Sequence, residues 1–194
     1  MVDVLITERA PTSARVLVVG AGGGLELKAF AQTHPDWTFD GVDPSVEMLT
    51  LAKETLGQFV SRVSLHHGRI DVAPPGPFDA AACLLTMHFL EPDERRQLVT
   101  DVYRRLRPGA PFVVVHLSFP QGQEERARWL ARYAAFATAS GIEAAKATAA
   151  SEAISARLPI VSPEADEALL RGGGFEDVEM FYAGLAFRGW VAYA

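Results

Sequence analysis

At 194 residues the chain is long enough for one domain with a sizeable core, and 49% hydrophobic with 22% charged residues is an ordinary globular composition. The net charge of −6 argues against a general nucleic-acid binder. The single cysteine, Cys83, excludes an internal disulfide and a Cys-rich zinc site and fits a reducing compartment.

The opening "MVDVLITERA" has only Val4-Leu5-Ile6 as an apolar stretch, without the basic and long apolar regions of a secretion signal. No run approaches the ~20 apolar residues of a membrane span. The expectation is a cytoplasmic protein with no membrane partner and no metal. Strand-like and helix-like segments then alternate: strand Arg15–Val19, helix Leu25–Gln32, strand Thr38–Val42, helix Val46–Leu56, strand Arg62–His66 and strand Phe78–Leu85. A polar-apolar helix follows over Asp93–Leu106, is stopped by Arg107-Pro108-Gly109, and leads to strand Phe112–His116. This alternation predicts a parallel sheet with helices on both faces.

The tail has a different character. Pro120–Ser155 is Ala-rich, helical and poor in β-formers. Ser162-Pro163-Glu164 reads as a helix start, with Pro at the first helical position and acids in the first turn, and Gly172-Gly173-Gly174 as its end. Asp177–Tyr182 and Phe187–Tyr193, separated by Ala183–Ala186, form a β-hairpin whose turn is expected to overhang the pocket. No linker divides the chain, so the reading is one domain over residues 1–194 with a helical lid insertion at about 120–160.

The chemistry gathers at "RVLVVGAGGG". A strand that breaks into a glycine turn and resumes as a helix is a site for the polar part of a nucleotide-like ligand. Glycines let the backbone come close, and N–H groups of the turn point outward. Asp43 follows the second strand and suits both ribose hydroxyls. It also precedes Pro44, a position that suits capping of the next helix. A turn and an acid ~20 residues apart do not separate NAD, FAD and S-adenosylmethionine (SAM).

The order of motifs over roughly residues 14–194 resembles the class I SAM-dependent methyltransferases. "RVLVVGAGGG" is similar to that family's first motif, "GVDPSVEML" to its second, "HHGRIDV" to its adenine-binding motif and "FDAAACLLTMHFL" to its fourth-strand motif. The resemblance implies an α/β, three-layer, Rossmann-like seven-stranded sheet, mostly parallel with a C-terminal antiparallel hairpin. It implies SAM as cofactor, S-adenosylhomocysteine (SAH) as product, and Gly20, Ala21, Gly22, Gly24, Asp43, Pro44, Met48, Gly68, Arg69, Ile70 and Leu84 as the cofactor residues. A small-molecule acceptor is the expected partner, and a homodimer is open.

"LTMHFLEPDERRQLVTDVYRRLRPGAPFVVVHLSF" and "GGFEDVEMFYAGLAFRGWVA" resemble more closely the bacterial carboxy-SAM synthase subgroup of tRNA wobble-uridine modification. That subgroup holds its product's extra carboxylate with an arginine after strand five; Ala153 falls at that place here, with Arg157 the nearest candidate. Val18 stands where the family has an acid, and Arg69 where its adenine motif has Asp. Glu26 and Asp71 are candidate substitutes, and backbone groups of Ile70 suit the adenine edge.

His88, just past strand four, and His116, at the end of strand five, are the candidate catalytic bases. Arg126, Arg128, Trp129, Arg132, Tyr133 and Phe136 of the lid are expected to choose the substrate. The favoured reading is a methyltransferase acting on a small-molecule or nucleoside-type acceptor by in-line transfer. The alternatives are a carboxy-SAM synthase-like enzyme, a non-catalytic SAM-binding module and, least favoured because of the terminal hairpin, a nicotinamide oxidoreductase.

Overall fold

The computed structural model describes residues 1–194. Seven strands form one sheet: β1 (Arg15–Val19), β2 (Thr38–Asp43), β3 (Val63–His67), β4 (Ala80–Leu84), β5 (Pro111–Leu117), β6 (Glu176–Gly184) and β7 (Phe187–Tyr193), in the order β3-β2-β1-β4-β5-β7-β6. The first five pair in parallel; β7 runs antiparallel to β5 and β6. The chain turns from β3 back across the sheet through β4, so the strand order reverses between β1 and β4, where open α/β sheets form their ligand crevice.

The helices are α1 (Val2–Thr7), α2 (Leu25–Thr33), α3 (Val46–Leu56), α4 (Pro92–Tyr103), α5 (Gln123–Ala139), α6 (Ala144–Arg157) and α7 (Pro163–Gly172). No helix is long and apolar enough to cross a membrane. Period-two alternation divides the strands between two faces. Leu17 and Val19 of β1 and Phe112 and Val114 of β5 face a core with Leu98, Val99 and Val102 of α4 and Leu170 of α7. Val16 and Val18 face the opposite core with Leu27 and Phe30 of α2, Leu56 of α3 and Ile6 of α1.

Several boundaries depart from the sequence reading, each for a local reason. The short helix α1 is an added element, anchored by fully buried Ile6. Strand β4 is shorter at both ends. Phe78 is drawn instead to the α4 exit, where its N–H donates to Arg105 O and its carbonyl accepts from Arg107, and Leu85 leaves the strand at φ 56°. Helix α4 starts at Pro92, behind a reciprocal pair of bonds between Glu91 and Glu94, and ends at Tyr103. The Ala-rich tail segment is two helices, broken where Gly141 turns at φ 95°. Helix α7 begins as read, with Ser162 accepting from Ala165 N and Pro163 in the first turn.

Candidate functional site

Gly20, Gly22 and Gly24 all have positive φ, at 72°, 47° and 78°. Gly20 also allows a close approach: a Cβ there would lie 2.0 Å from Thr86 Oγ1, so any side chain would push the β4 exit away from the turn. The turn's amides point largely inward, against the outward-facing set expected from sequence. Gly20 and Ala21 N–H donate to Val42 O at 2.9 and 3.0 Å, Gly24 N–H to Ala21 O at 2.9 Å, and Gly22 N–H to Asp43 Oδ2 at 2.9 Å. A turn that spends its donors on its own chain is poorly equipped to cradle a pyrophosphate.

Asp43 is buried and braces the turn against the end of β2. Its Oδ1 accepts from Ser45 N–H at 2.9 Å while Oδ2 holds Gly22. The cap of α3 is Ser45, whose hydroxyl accepts from Met48 N–H at 3.1 Å, not Asp43. An ionised carboxylate has about four acceptor positions, so two remain for a ligand diol.

A cavity of 930 Å³ opens at this edge of the sheet. That lies at the upper end of the ~300–1,000 Å³ usual for small-molecule sites, large enough for a nucleoside cofactor and part of an acceptor. Of the expected cofactor residues, Gly20, Gly22, Asp43, Pro44, Met48, Gly68, Arg69, Ile70 and Leu84 line it. Ala21 and Gly24 are buried behind the turn and do not, because Ala21 packs into the α2-side core and Gly24 caps α2. Glu26 and Asp71, the suggested substitute acids, both line the cavity. Arg69 is exposed and paired with Glu94.

The sequence reading omitted the far wall. Glu94, Gln97, Leu98 and Asp101 of α4 line it, with Leu85, Thr86, Phe89 and Leu90 from the β4 exit. The α4 residues recur at the helical period, so they share one face. Their mixed polarity makes that face look like ordinary solvent-exposed surface. Leu85 and Phe89 are large apolar side chains left 54% and 60% exposed at the mouth.

Neither expected catalytic histidine lines the cavity. His116 is 1% exposed, with Nε2 3.0 Å from Asp166 Oδ2 of α7. Arg95 of α4, equally buried, lies 3.5 Å from the other Asp166 oxygen and donates through Nε to Leu90 O. His88 points inward to β5, where Nδ1 faces the Leu117 N–H at 3.4 Å. Burial, with His116 and Arg95 nearby, pushes the His88 imidazole down to about 4, so it is neutral near pH 7 and a weak base. Both side chains point to the α4 and α7 side rather than over the β1–β4 crevice. Cys83 is fully buried, and burial with the Glu26 charge pushes its thiol up to about 12; it stays protonated.

The segment expected as a lid contributes no cavity residue. Helices α5 and α6 pack together beyond β5 and β7, on a small core of Leu117, Phe119, Leu130, Ile160 and Ala186. The β6–β7 turn, expected to overhang the pocket, is drawn into that core through Ala186. Of the six side chains expected to choose the substrate, Arg126 donates to Gln121 and Ser155, Trp129 lies under Arg132 and Arg188, and Tyr133 packs near Phe187. Ala153 and Arg157 are exposed on α6.

Residues 16–109 match the family model of a methyltransferase domain. Beyond that match, the fold of the whole chain is the one seen in solved methyltransferases. It is 22% identical over 193 residues to a carboxy-S-adenosyl-L-methionine synthase from Campylobacter lari, covering 100% of this chain and 82% of that protein. Its fold superposes on an O-methyltransferase family protein from Burkholderia thailandensis with a TM-score of 0.72 at 15% identity, over 100% of this chain and 55% of the other. Human N-acetylserotonin methyltransferase, solved with SAM, gives 0.65 at 15% identity over 98% and 51%. The chain spans about half the length of these two structures.

Proposed function

We propose that the chain transfers a methyl group from SAM to a small-molecule or nucleoside-type acceptor by in-line displacement. The observation that carries this reading is the combination of an inward-turned glycine loop with a carboxylate-lined cavity. Glu26, Asp43, Asp71, Glu94 and Asp101 line it, with Arg69 as the one cationic side chain. That wall suits a nucleoside bearing positive charge and opposes the double negative charge of a dinucleotide pyrophosphate.

The residues present fit the cofactor. Asp43 offers its spare acceptor positions to the ribose. Ile70, Leu84 and Leu98 offer an apolar slot for the base. Bound there, SAM would supply an electrophilic methyl carbon and a neutral leaving group. The chain's own task is then positional: holding the acceptor atom in line with that carbon, where orientation contributes ~7–11 kcal/mol. With no histidine on the cavity wall, the acceptor atom must bring its own lone pair or lose its proton to a cavity carboxylate or water.

Titration calorimetry with SAM and with NADH tests the reading. Binding of SAM alone is the expected result; tight NADH binding without SAM binding would sink it. A carboxy-SAM synthase-like activity is the second reading, favoured by the C. lari relative. Against it, no arginine of α6 lines the cavity, and Arg69 is paired with Glu94. Incubation with SAM and prephenate should therefore give no carboxylated nucleoside by mass spectrometry.

A further inference from the structure

Most arginines of the chain have a partner. Arg15, Arg69, Arg95 and Arg107 sit beside carboxylates, and Arg62 donates to carbonyls at the end of α2. Arg132 of α5 and Arg188 of β7 differ, and they meet at one spot. Neither is paired with a carboxylate. Both guanidiniums lie over the ring of Trp129, 4.7 and 5.1 Å from its centroid. They are therefore within about 10 Å of each other, where two like charges with no acid between them repel. Glu125, on the same helix, turns its carboxylate back toward Gly122, where an added Cβ would meet Oε2 at 2.8 Å.

Arg188 is held ready for an anion. Its Nη1 donates to Phe187 O at 2.8 Å and to Leu185 O, the Trp129 ring supports it, and its Nε and Nη2 make no hydrogen bond. Leu185 stands at φ 51° in the β6–β7 turn, at a place where glycine is the usual residue. The turn thus keeps a strained backbone whose carbonyl orients this guanidinium. Arg188 is half-buried without a counter-ion, and burial lowers its pKa; a bound anion offsets that cost. Arg132 is exposed and rests on the ring alone, so it can close on an anion held at Arg188.

Trp129, Arg132, Tyr133 and Phe136 recur at helical spacing and share one face of α5. Phe136 is 59% exposed and lies one turn, ~6 Å, beyond Arg132. The patch stands at the carboxyl edge of the sheet, where Arg188 is in register with His116 of β5. None of its residues lines the cavity, so it is a separate site.

We propose that Arg132 and Arg188 clamp the phosphate monoester of an organic ligand whose flat apolar body lies on Phe136. Two guanidinium forks without an acid match a dianion. A carboxylate, or each phosphate of a nucleic-acid backbone, brings a single charge. The assignment does not depend on the cofactor reading above.

Trp37 and Trp190 are 2% and 0% exposed, so Trp129 is the tryptophan whose fluorescence reports the patch. Inorganic phosphate, phenyl phosphate, acetate and a thymidine trinucleotide without terminal phosphates are titrated into the full chain. The pH is 8, where a monoester is dianionic, and chloride holds the ionic strength constant. Phosphate and phenyl phosphate should give saturable changes, with phenyl phosphate roughly 2- to 10-fold tighter, the range for an aromatic pair. Acetate and the trinucleotide should bind roughly tenfold more weakly than phosphate. Arg132→Gln and Arg188→Gln should each weaken phenyl phosphate roughly 10- to 100-fold, the range for hydrogen bonds to a charged group. Arg188→Lys keeps the charge but not the fork and should also lose affinity. Phe136→Ala should remove only the advantage of phenyl phosphate over phosphate. Arg132 is exposed, so its variant should keep the urea unfolding midpoint of the unaltered chain and isolates binding from folding. A change that never saturates, acetate or trinucleotide binding as tight as phosphate, or full affinity in Arg132→Gln or Arg188→Lys would overturn the assignment.

Discussion

The cavity region and the α5–α6 hairpin are built on opposite plans. Around the cavity, polar side chains are committed: Asp43 to two amides, Arg69 to Glu94, Arg95 to Leu90 O and Asp166. The strand beneath is buried along almost its whole length. In α5 and α6, helices of 17 and 14 residues, the buried side chains are Leu130, Ala147 and Ser151. Alanine gives these helices propensity but little apolar area to bury. One region is thus held by long-range packing and a fixed hydrogen-bond frame, the other mainly by its own backbone.

The two regions meet at the buried charges. Arg95 donates to Leu90 O on the cavity wall and to Pro159 O just after α6, with Asp166 as its counter-ion. Removing one partner of such a pair leaves a charge stranded in the interior. Asp166→Ala should therefore cost ~3–5 kcal/mol in urea unfolding, whereas Lys146→Gln, which breaks an exposed pair with Glu143, should cost at most ~1 kcal/mol. Equal small losses would mean that the junction is no more rigid than the surface.

On the cavity side, Asp43→Ala should weaken SAH binding by ~1.5–3 kcal/mol in calorimetry. Part of that loss is indirect, because the Gly22 amide also loses its acceptor. The same substitution should leave the unfolding behaviour of α5–α6 unaltered, since the hairpin shares no bond with Asp43. A binding loss below about 0.5 kcal/mol would remove Asp43 from the ribose site, since even an ordinary net hydrogen bond contributes that much.

The sequence carried the cavity's near wall clearly and its far wall poorly. A β-branched run broken by glycines has one sensible reading, so β1, the turn and α2 were legible, and α3 with them. The polar face of α4 was not, because Glu94, Gln97 and Asp101 have the spacing and chemistry of a solvated stripe. The histidines failed for a different reason. A residue at a strand's carboxyl end can point to either side, and period two alone does not say which side holds the crevice. His116 and His88 point toward α7 and β5, beside the buried Arg95 and Asp166. The helical character of α5 and α6 was plain in their alanines, but not their docking, which depends on Phe119, Ile160 and Ala186 from three separate connections.

Acid should expose that buried junction. His88 has a folded-state value of about 4 against an ordinary 6.5, so as pH falls below ~6.5 the unfolded chain takes the proton first. Stability is full above that value and declines toward pH 4, by at most ~1.4 kcal/mol per pH unit. His88→Gln keeps an acceptor for the Leu117 N–H and has nothing to protonate. Urea unfolding at pH 7 and 4.5 should give the variant a loss smaller than the unaltered chain's by about 2 kcal/mol. Identical losses would show that His88 does not bear this part of the acid sensitivity.

The smallest expected effect lies in the hairpin's response to ligand. A segment with few buried side chains opens locally at low free energy, so amides of α5 and α6 should exchange faster than those of β1, β4 and β5. Added SAH should slow them only modestly, because no hairpin residue lines the cavity. The physical link is Arg95: ligand pressing on Leu90 steadies the guanidinium, and the guanidinium steadies Pro159 at the foot of α6. Slowing should therefore be strongest around residues 154–162 and fade toward Gly141. Hydrogen-exchange mass spectrometry with and without SAH reads this directly. Uniform slowing along both helices would mean that the hairpin closes over the cavity as a lid, as such segments commonly do. Protection equal to the strands in the empty protein, unchanged by SAH, would make the hairpin fixed scaffold. The contrast between a rigid cavity region and an adaptable flank would then be wrong. The acceptor would have to enter past the apolar mouth formed by Leu85 and Phe89, without help from α5 or α6.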